Sequence, residues 1–172
     1  MKTKIFPISL IIIFSAIFVI FYKGLQNSNV YKPQIDNQKN IPVFIAKAFE
    51  TEEIFKSENI FEGDKFYLMN IWSSWCAPCR DEHKFLLNLS TQKNLKIIGL
   101  NYKDKKKNAI NFLDELSNPY DFIFSDTDGT IAIEWGAYGV PESFLLYKNK
   151  IIKKIIGPID QNSLLEIKEL IQ

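Results

Sequence analysis

The pattern of apolar and polar positions divides the chain into three stretches. Ile5 to Tyr22 (IFPISLIIIFSAIFVIFY) carry no charge, with Lys2 and Lys4 before them and Lys23 behind. A run of this length lies at the short end of the roughly 17 to 25 residues that span a bilayer, and beyond the roughly 7 to 15 of a cleavable signal core. Residues 1–23 are therefore expected to form an N-terminal transmembrane helix, with the lysines holding the amino terminus in the cytoplasm and the remainder exported. A cleaved signal peptide is the alternative, and it exports the same domain. Residues 24–40 (GLQNSNVYKPQIDNQKN) are polar with isolated apolar positions and read as a flexible linker. The folded domain is expected over residues 41–172.

Within that domain the period of the pattern alternates. Phe66 to Trp72 (FYLMNIW) is too short for a helix and rich in aromatic residues, which predicts a buried strand. Glu82, Phe85, Leu86 and Leu89 then recur at spacings of three and four, the stripe of a helix starting near Cys76, with Pro78 tolerated in its first turn. Leu95 to Leu100 reads as a strand, Asn108 to Leu116 as a helix and Phe122 to Phe124 as a short strand. Ser143 to Tyr147 and Ile151 to Ile156 flank a turn and predict a hairpin, and Asn162 or Ser163 can cap a last helix through Ile171. A parallel β-α-β-α-β half followed by a hairpin and a helix implies an α/β fold with a mixed central sheet flanked by helices.

Composition narrows the classes of function. Apolar residues make up 47% of the 172, enough for a packed core. A net charge of +1 supplies no field to draw the protein onto nucleic acid. Lys103 to Lys107 (KDKKK) lacks interleaved aromatics and reads as a solvated loop. Asp126, Asp128 and Gly129 make a turn, since the later ligands of a calcium loop are missing. His83, the one histidine, reads as a helix-surface residue.

The chemistry rests on the two cysteines, in Trp75-Cys76-Ala77-Pro78-Cys79. Between a strand and a helix, both sulfurs fall in the first helical turn, where unpaired N–H groups and the helix dipole favour a thiolate. Cys76 is expected to be the nucleophile, and Cys79, three residues on, the thiol that resolves its mixed disulfide. A zinc site lacks ligands, because only His83 could supplement the pair. Haem attachment through C-x-x-C-H is excluded by Arg80. A purely structural disulfide remains the plain alternative, though so short a loop removes little entropy from the unfolded chain. Trp75 is placed at the rim of the site, in reach of substrate, and Trp72 in the core.

The segments NIWSSWCAPCRDEH (70–83), GLNYKD (99–104), NPY (118–120), DTDG (126–129) and WGAYGVPESFL (135–145) together resemble the DsbE/CcmG family. These are thioredoxin-like thiol:disulfide interchange proteins of cytochrome c maturation. The resemblance implies a periplasmic domain anchored on the inner membrane. Its activity would be protein-disulfide reduction without a cofactor, directed at the haem-site cysteines of apocytochrome c or at a cytochrome c maturation protein. A membrane reductant of the DsbD or CcdA kind would recharge it. A general exported disulfide reductase or oxidase is the near rival, and a non-catalytic apocytochrome-binding module the distant one. The resemblance also implies that Pro141 is a cis-proline facing the C-x-x-C and that the backbone of Val140 pairs with an extended substrate. Glu82, on the inward stripe one turn beyond Cys79, is expected to tune the pKa of the pair or shuttle a proton to Cys79, with a surface carboxylate the plain alternative. Glu142 either modulates the pair as part of an acidic groove or faces solvent. Asn70 stands where many thioredoxins carry a buried acid, which sharpens the expectation for Glu82.

Overall fold

The computed structural model describes residues 5–26, 40–61 and 63–172. The chain divides into two compact units, Met1–Gln34 and Ile35–Gln172. The first holds helix α1 (Ile5–Gln26). Its described side chains, residues 9–23, are exposed and apolar apart from Ser9, Ser15, Tyr22 and Lys23. Among the described residues no helix is long and apolar enough to cross a membrane, so α1 does not establish the anchor expected over 1–23. Of the linker expected over 24–40, positions 27–39 lie outside the described residues.

The second unit contains strands β1 (Ile45–Ala48), β2 (Ile54–Lys56) and β3 (Phe66–Trp72), helix α2 (Ala77–Leu89), β4 (Leu95–Tyr102), α3 (Lys106–Leu116), β5 (Phe122–Asp126), α4 (Thr130–Glu134), β6 (Glu142–Tyr147), β7 (Lys150–Ile156) and α5 (Gln161–Leu170). The strands form one sheet in the order β2-β1-β5-β4-β3-β6-β7. β3, β4 and β5 are parallel, as two helical crossovers require, and the remaining neighbours are antiparallel. The β6–β7 hairpin turns through Lys148 and Asn149, both with positive φ (49° and 60°), a backbone that matches the twist of the flanking strands.

The central strand β3 is covered on both sides, which explains its unbroken apolar run. Leu68 and Trp72 face one core, shared with Leu86 and Leu89 of α2, Phe112 of α3, and Leu164 and Ile167 of α5. Met69 and Ile71 face the other, with Ile131 and Ala132 of α4 and an aromatic cluster of Phe44, Phe61 and Trp135. Each large side chain so buried contributes roughly 1.5 to 3 kcal/mol. The β3, β4, β5, β6 and β7 expectations match the observed strands to within two residues. The last helix is capped differently from expectation: the Asp160 carboxylate accepts from Ser163 N–H at 2.8 Å, so the cap is neither Asn162 nor Ser163.

Candidate active site

β3 ends at Trp72 and the chain turns through Ser73–Trp75 into α2, whose N-cap is Cys76. Each residue of this turn is tied to residues 102–104, the end of β4 and the two residues after it. The Ser73 hydroxyl donates to the Tyr102 carbonyl (3.0 Å). Ser74 donates to Asp104 from its N–H (2.6 Å) and its hydroxyl (2.8 Å). The Trp75 indole N–H donates to the Lys103 carbonyl (3.0 Å), while the ring itself stays 58% exposed. Cys76 and Cys79 are joined by a disulfide with Cα atoms 5.3 Å apart. The Cys76 sulfur also accepts from Cys79 N–H at 3.1 Å. Cys76 is the outer of the pair, 5% exposed against 2% for Cys79.

One helical turn beyond Cys79, Glu82 is fully buried. Its Oε1 accepts from the Asn70 amide (2.9 Å) and its Oε2 from Ile159 N–H (2.8 Å). Asn70 also donates to Ser143 Oγ (2.9 Å) and accepts from the Tyr120 hydroxyl (2.8 Å). Every partner of the carboxylate is neutral. Burial therefore dominates and raises the Glu82 pKa to about 7, against the lowering effect of the bonds from Ile159 and Asn70. Burial, with the nearby Glu82 charge, likewise pushes the Tyr120 hydroxyl well above its ordinary value. Tyr120 stacks on Trp72 (5.4 Å between centroids), and Gly99 makes room for both: a Cβ there would lie 2.8 Å from Trp72 Nε1 and 3.0 Å from the Tyr120 ring.

The Val140–Pro141 bond is cis. Glu142 pairs with Ile71 near the end of β3, which places Val140 and Pro141 at the same end of the sheet as the disulfide turn. Val140 packs against the cluster that contains both cysteines. Glu142 itself is placed otherwise than expected. Strand alternation sends it to the face opposite Ser143 and Glu82, where it is 2% exposed and its Oε2 lies 2.8 Å from Lys154 Nζ. An acidic groove that includes its carboxylate is not formed, because the side chain is buried and paired with a cation.

His83 also departs from expectation. It is 2% exposed, packs edge-on to Phe112 (5.2 Å) and donates from Nε2 to the Ser117 carbonyl (2.7 Å). Burial, chiefly, lowers its pKa, with the Ser117 bond opposing. The buried face of α2 is thus wider than the stripe, because α3 covers its flank. Residue order does not single out Asp104, Ser73, Ser74 or Tyr120. Lys103–Lys107 has the composition of a solvated loop, and only the pairing of β3 with β4 brings Asp104 to the turn. Among the described residues, no group of three or more His, Cys, Asp or Glu could hold a metal ion.

A disulfide at a helix N-terminus, braced by residues 102–104 and followed one helical turn on by a buried titratable acid, is the arrangement of the thiol:disulfide oxidoreductases. The comparisons agree. The Redoxin family model matches residues 37–170. The thiol:disulfide interchange protein DsbE of Escherichia coli (strain K12) is 34% identical over 157 residues, covering 89% of this chain and 84% of that protein. The thiol:disulfide interchange protein CycY of Rhizobium leguminosarum bv. viciae is 48% identical over 103 residues, covering 59% of this chain and just over half, 55%, of the relative. In fold, the chain is similar to the crystal structure of a thiol:disulfide interchange protein DsbE from Chlorobium tepidum, with a TM-score of 0.66 and 22% identity over 78% of this chain and 96% of that one. The chain belongs to the Redoxin family and, within it, to the DsbE thiol:disulfide interchange proteins. Its fold is thioredoxin-like and its activity is thiol–disulfide exchange.

Proposed function

We propose that the protein is a periplasmic reductant, anchored in the inner membrane by residues 1–23, that delivers electrons to the haem-site cysteines of apocytochrome c or to a cytochrome c maturation protein. The observation that carries the reading is the disulfide at the start of α2 with the buried, neutral-partnered Glu82 one helical turn beyond Cys79. The anchor rests on the uncharged run from Ile5 to Tyr22, and the direction of electron flow on the DsbE resemblance.

In the reduced protein the Cys76 thiolate, favoured at the helix N-terminus, attacks one sulfur of the target disulfide, and the departing target sulfur takes up a proton. A mixed disulfide with Cys76 results. Cys79 then passes its proton to the Glu82 carboxylate and attacks the Cys76 sulfur, releasing the second target thiol and closing the protein disulfide. Two electrons have moved from the protein dithiol to the target. A membrane dithiol reductant of the DsbD or CcdA kind returns them. A pKa of about 7 lets Glu82 both take and give a proton at neutral pH. The Val140 backbone holds the target as an added extended segment, and Trp75 covers the rim.

Replacing Cys79→Ser leaves the attacking thiol and removes the resolving one, so targets accumulate as mixed disulfides on Cys76. Capture of an apocytochrome or a maturation protein, identified by mass spectrometry, is the expected outcome. A wide assortment of exported proteins would instead establish the general reductase, and no capture at all would sink both.

A further inference from the structure

Lys154 is a buried cation on the face of the sheet away from Glu82. Its side chain is 6% exposed, and its partners all belong to the strand and loop around Pro141. Nζ donates to the Gly136 carbonyl at 2.7 Å and lies 2.8 Å from Glu142 Oε2. It sits 4.5 Å from the centre of the Tyr138 ring and 5.1 Å from that of Phe144. The other Glu142 oxygen, Oε1, accepts from Tyr138 N–H at 2.7 Å. The ammonium and carboxylate together therefore grip the 136–139 loop at a carbonyl, an amide and a ring. The front of the loop is held separately, by Gly136 N–H and Ala137 N–H donating to the Ile133 and Ala132 carbonyls of α4.

This loop is otherwise poorly secured. Gly136 has φ +69°, Gly139 adds a second residue without a side chain, and Tyr138 is 66% exposed. A segment with two glycines and an exposed aromatic keeps one conformation only where specific contacts impose it, and ordering it during binding would cost affinity.

We propose that Lys154 is a positioning residue for the polypeptide substrate. Through the ion pair with Glu142 it holds the 136–140 segment as a preformed ledge that presents the Val140 backbone and the Tyr138 ring to the chain bearing the target disulfide. The proposal rests on the reading that this edge receives substrate. It assigns Glu142 a mechanical role through the loop and leaves the tuning of the sulfurs to Glu82. The ledge is selective for extended polypeptide over small disulfides, since only a polypeptide has the backbone groups and side chains to use it.

The test compares two oxidants of the reduced full-length protein in detergent: a disulfide-bonded Cys-x-x-Cys-His peptide and bis(2-hydroxyethyl) disulfide, which has no backbone. Lys154→Met is expected to raise KM for the peptide about tenfold at unchanged kcat. Its rate with the small disulfide and its equilibrium with the glutathione couple are expected to stay at wild-type values. Lys154→Arg, which keeps the charge, is expected to recover most of the peptide KM. Where Lys154→Met does not fold, as read by far-UV circular dichroism, Lys154→Met/Glu142→Gln removes both charges and carries the same expectation. Equal slowing with both oxidants, or a shifted glutathione equilibrium, would show that the pair acts on the sulfurs and overturn the proposal. A peptide preference that survives the substitution overturns the proposal alone. A wild-type protein with no preference for the peptide overturns the substrate-edge reading beneath it.

Discussion

Two glutamates near the same end of the sheet, Glu82 and Glu142, are both fully buried and lie on opposite faces. Glu82 meets only neutral donors: an amide side chain and a backbone N–H. Glu142 meets an ammonium group as well as a backbone N–H. A buried carboxylate with neutral partners can shed its charge by taking up a proton, so it remains a working acid near neutral pH. The other carboxylate lies against an ammonium group and is tied by it to the 136–138 backbone. Burial alone therefore does not say what an acidic residue does; the charge of its partners does.

The comparison can be broken at three places, taken from the largest expected effect to the smallest. Lys154→Met leaves the Glu142 carboxylate buried without its cation, and urea unfolding should show a loss of about 3 to 5 kcal/mol. A loss under about 1 kcal/mol would mean that Glu142 does not depend on the ammonium group.

The Glu82 side is distinguished by pH. Its folded pKa, about 7, lies above the ordinary 4.5, so its contribution to stability is fully present below about pH 4.5 and is lost as pH rises through about 7. The shift corresponds to a fall of about 3 kcal/mol across that window. His83, with its lowered pKa, works in the opposite sense: the stability of its neutral form is present above pH 6.5 and lost as pH falls. The difference between wild type and Glu82→Gln, measured by unfolding from pH 4 to 8, isolates the glutamate, because His83 titrates in both. That difference should rise in favour of the variant with increasing pH, and a flat difference would refute the assignment.

Gly99→Ala is the mildest of the three. Its added methyl would press on Trp72 and Tyr120, and through the Tyr120–Asn70 bond on the Glu82 side only. A loss of about 2 kcal/mol is expected, with the peptide KM left alone.

Long apolar periods made the central strands and α2 legible from residue order, and the hairpin declared itself by two flanking runs. β1 and β2, of four and three residues, carry too few positions to establish a period, and their place in the sheet follows from pairing with β5 and with each other. The five-residue α4 is held by Asp126, whose carboxylate accepts from Ile131 and Ala132 N–H across a turn. The cysteines and the inward Glu82 could be read from spacing. Pro141 and Val140 came through the family resemblance, since a single proline does not announce its isomer. Partners distant in sequence stayed hidden: Lys154 for Glu142, Ser117 for His83 and Asp104 for Ser74 meet only once the sheet is assembled.

The brace between residues 73–75 and 102–104 has a consequence for the reaction cycle. Its hydrogen bonds run from the turn to the end of β4 and the two residues after it, and none passes through a sulfur. Opening the disulfide therefore removes one covalent link from a frame that is already complete without it. None of the brace's four hydrogen bonds has to break for the sulfurs to separate. The scaffold is thus a jig that holds the sulfurs from outside the bond they make.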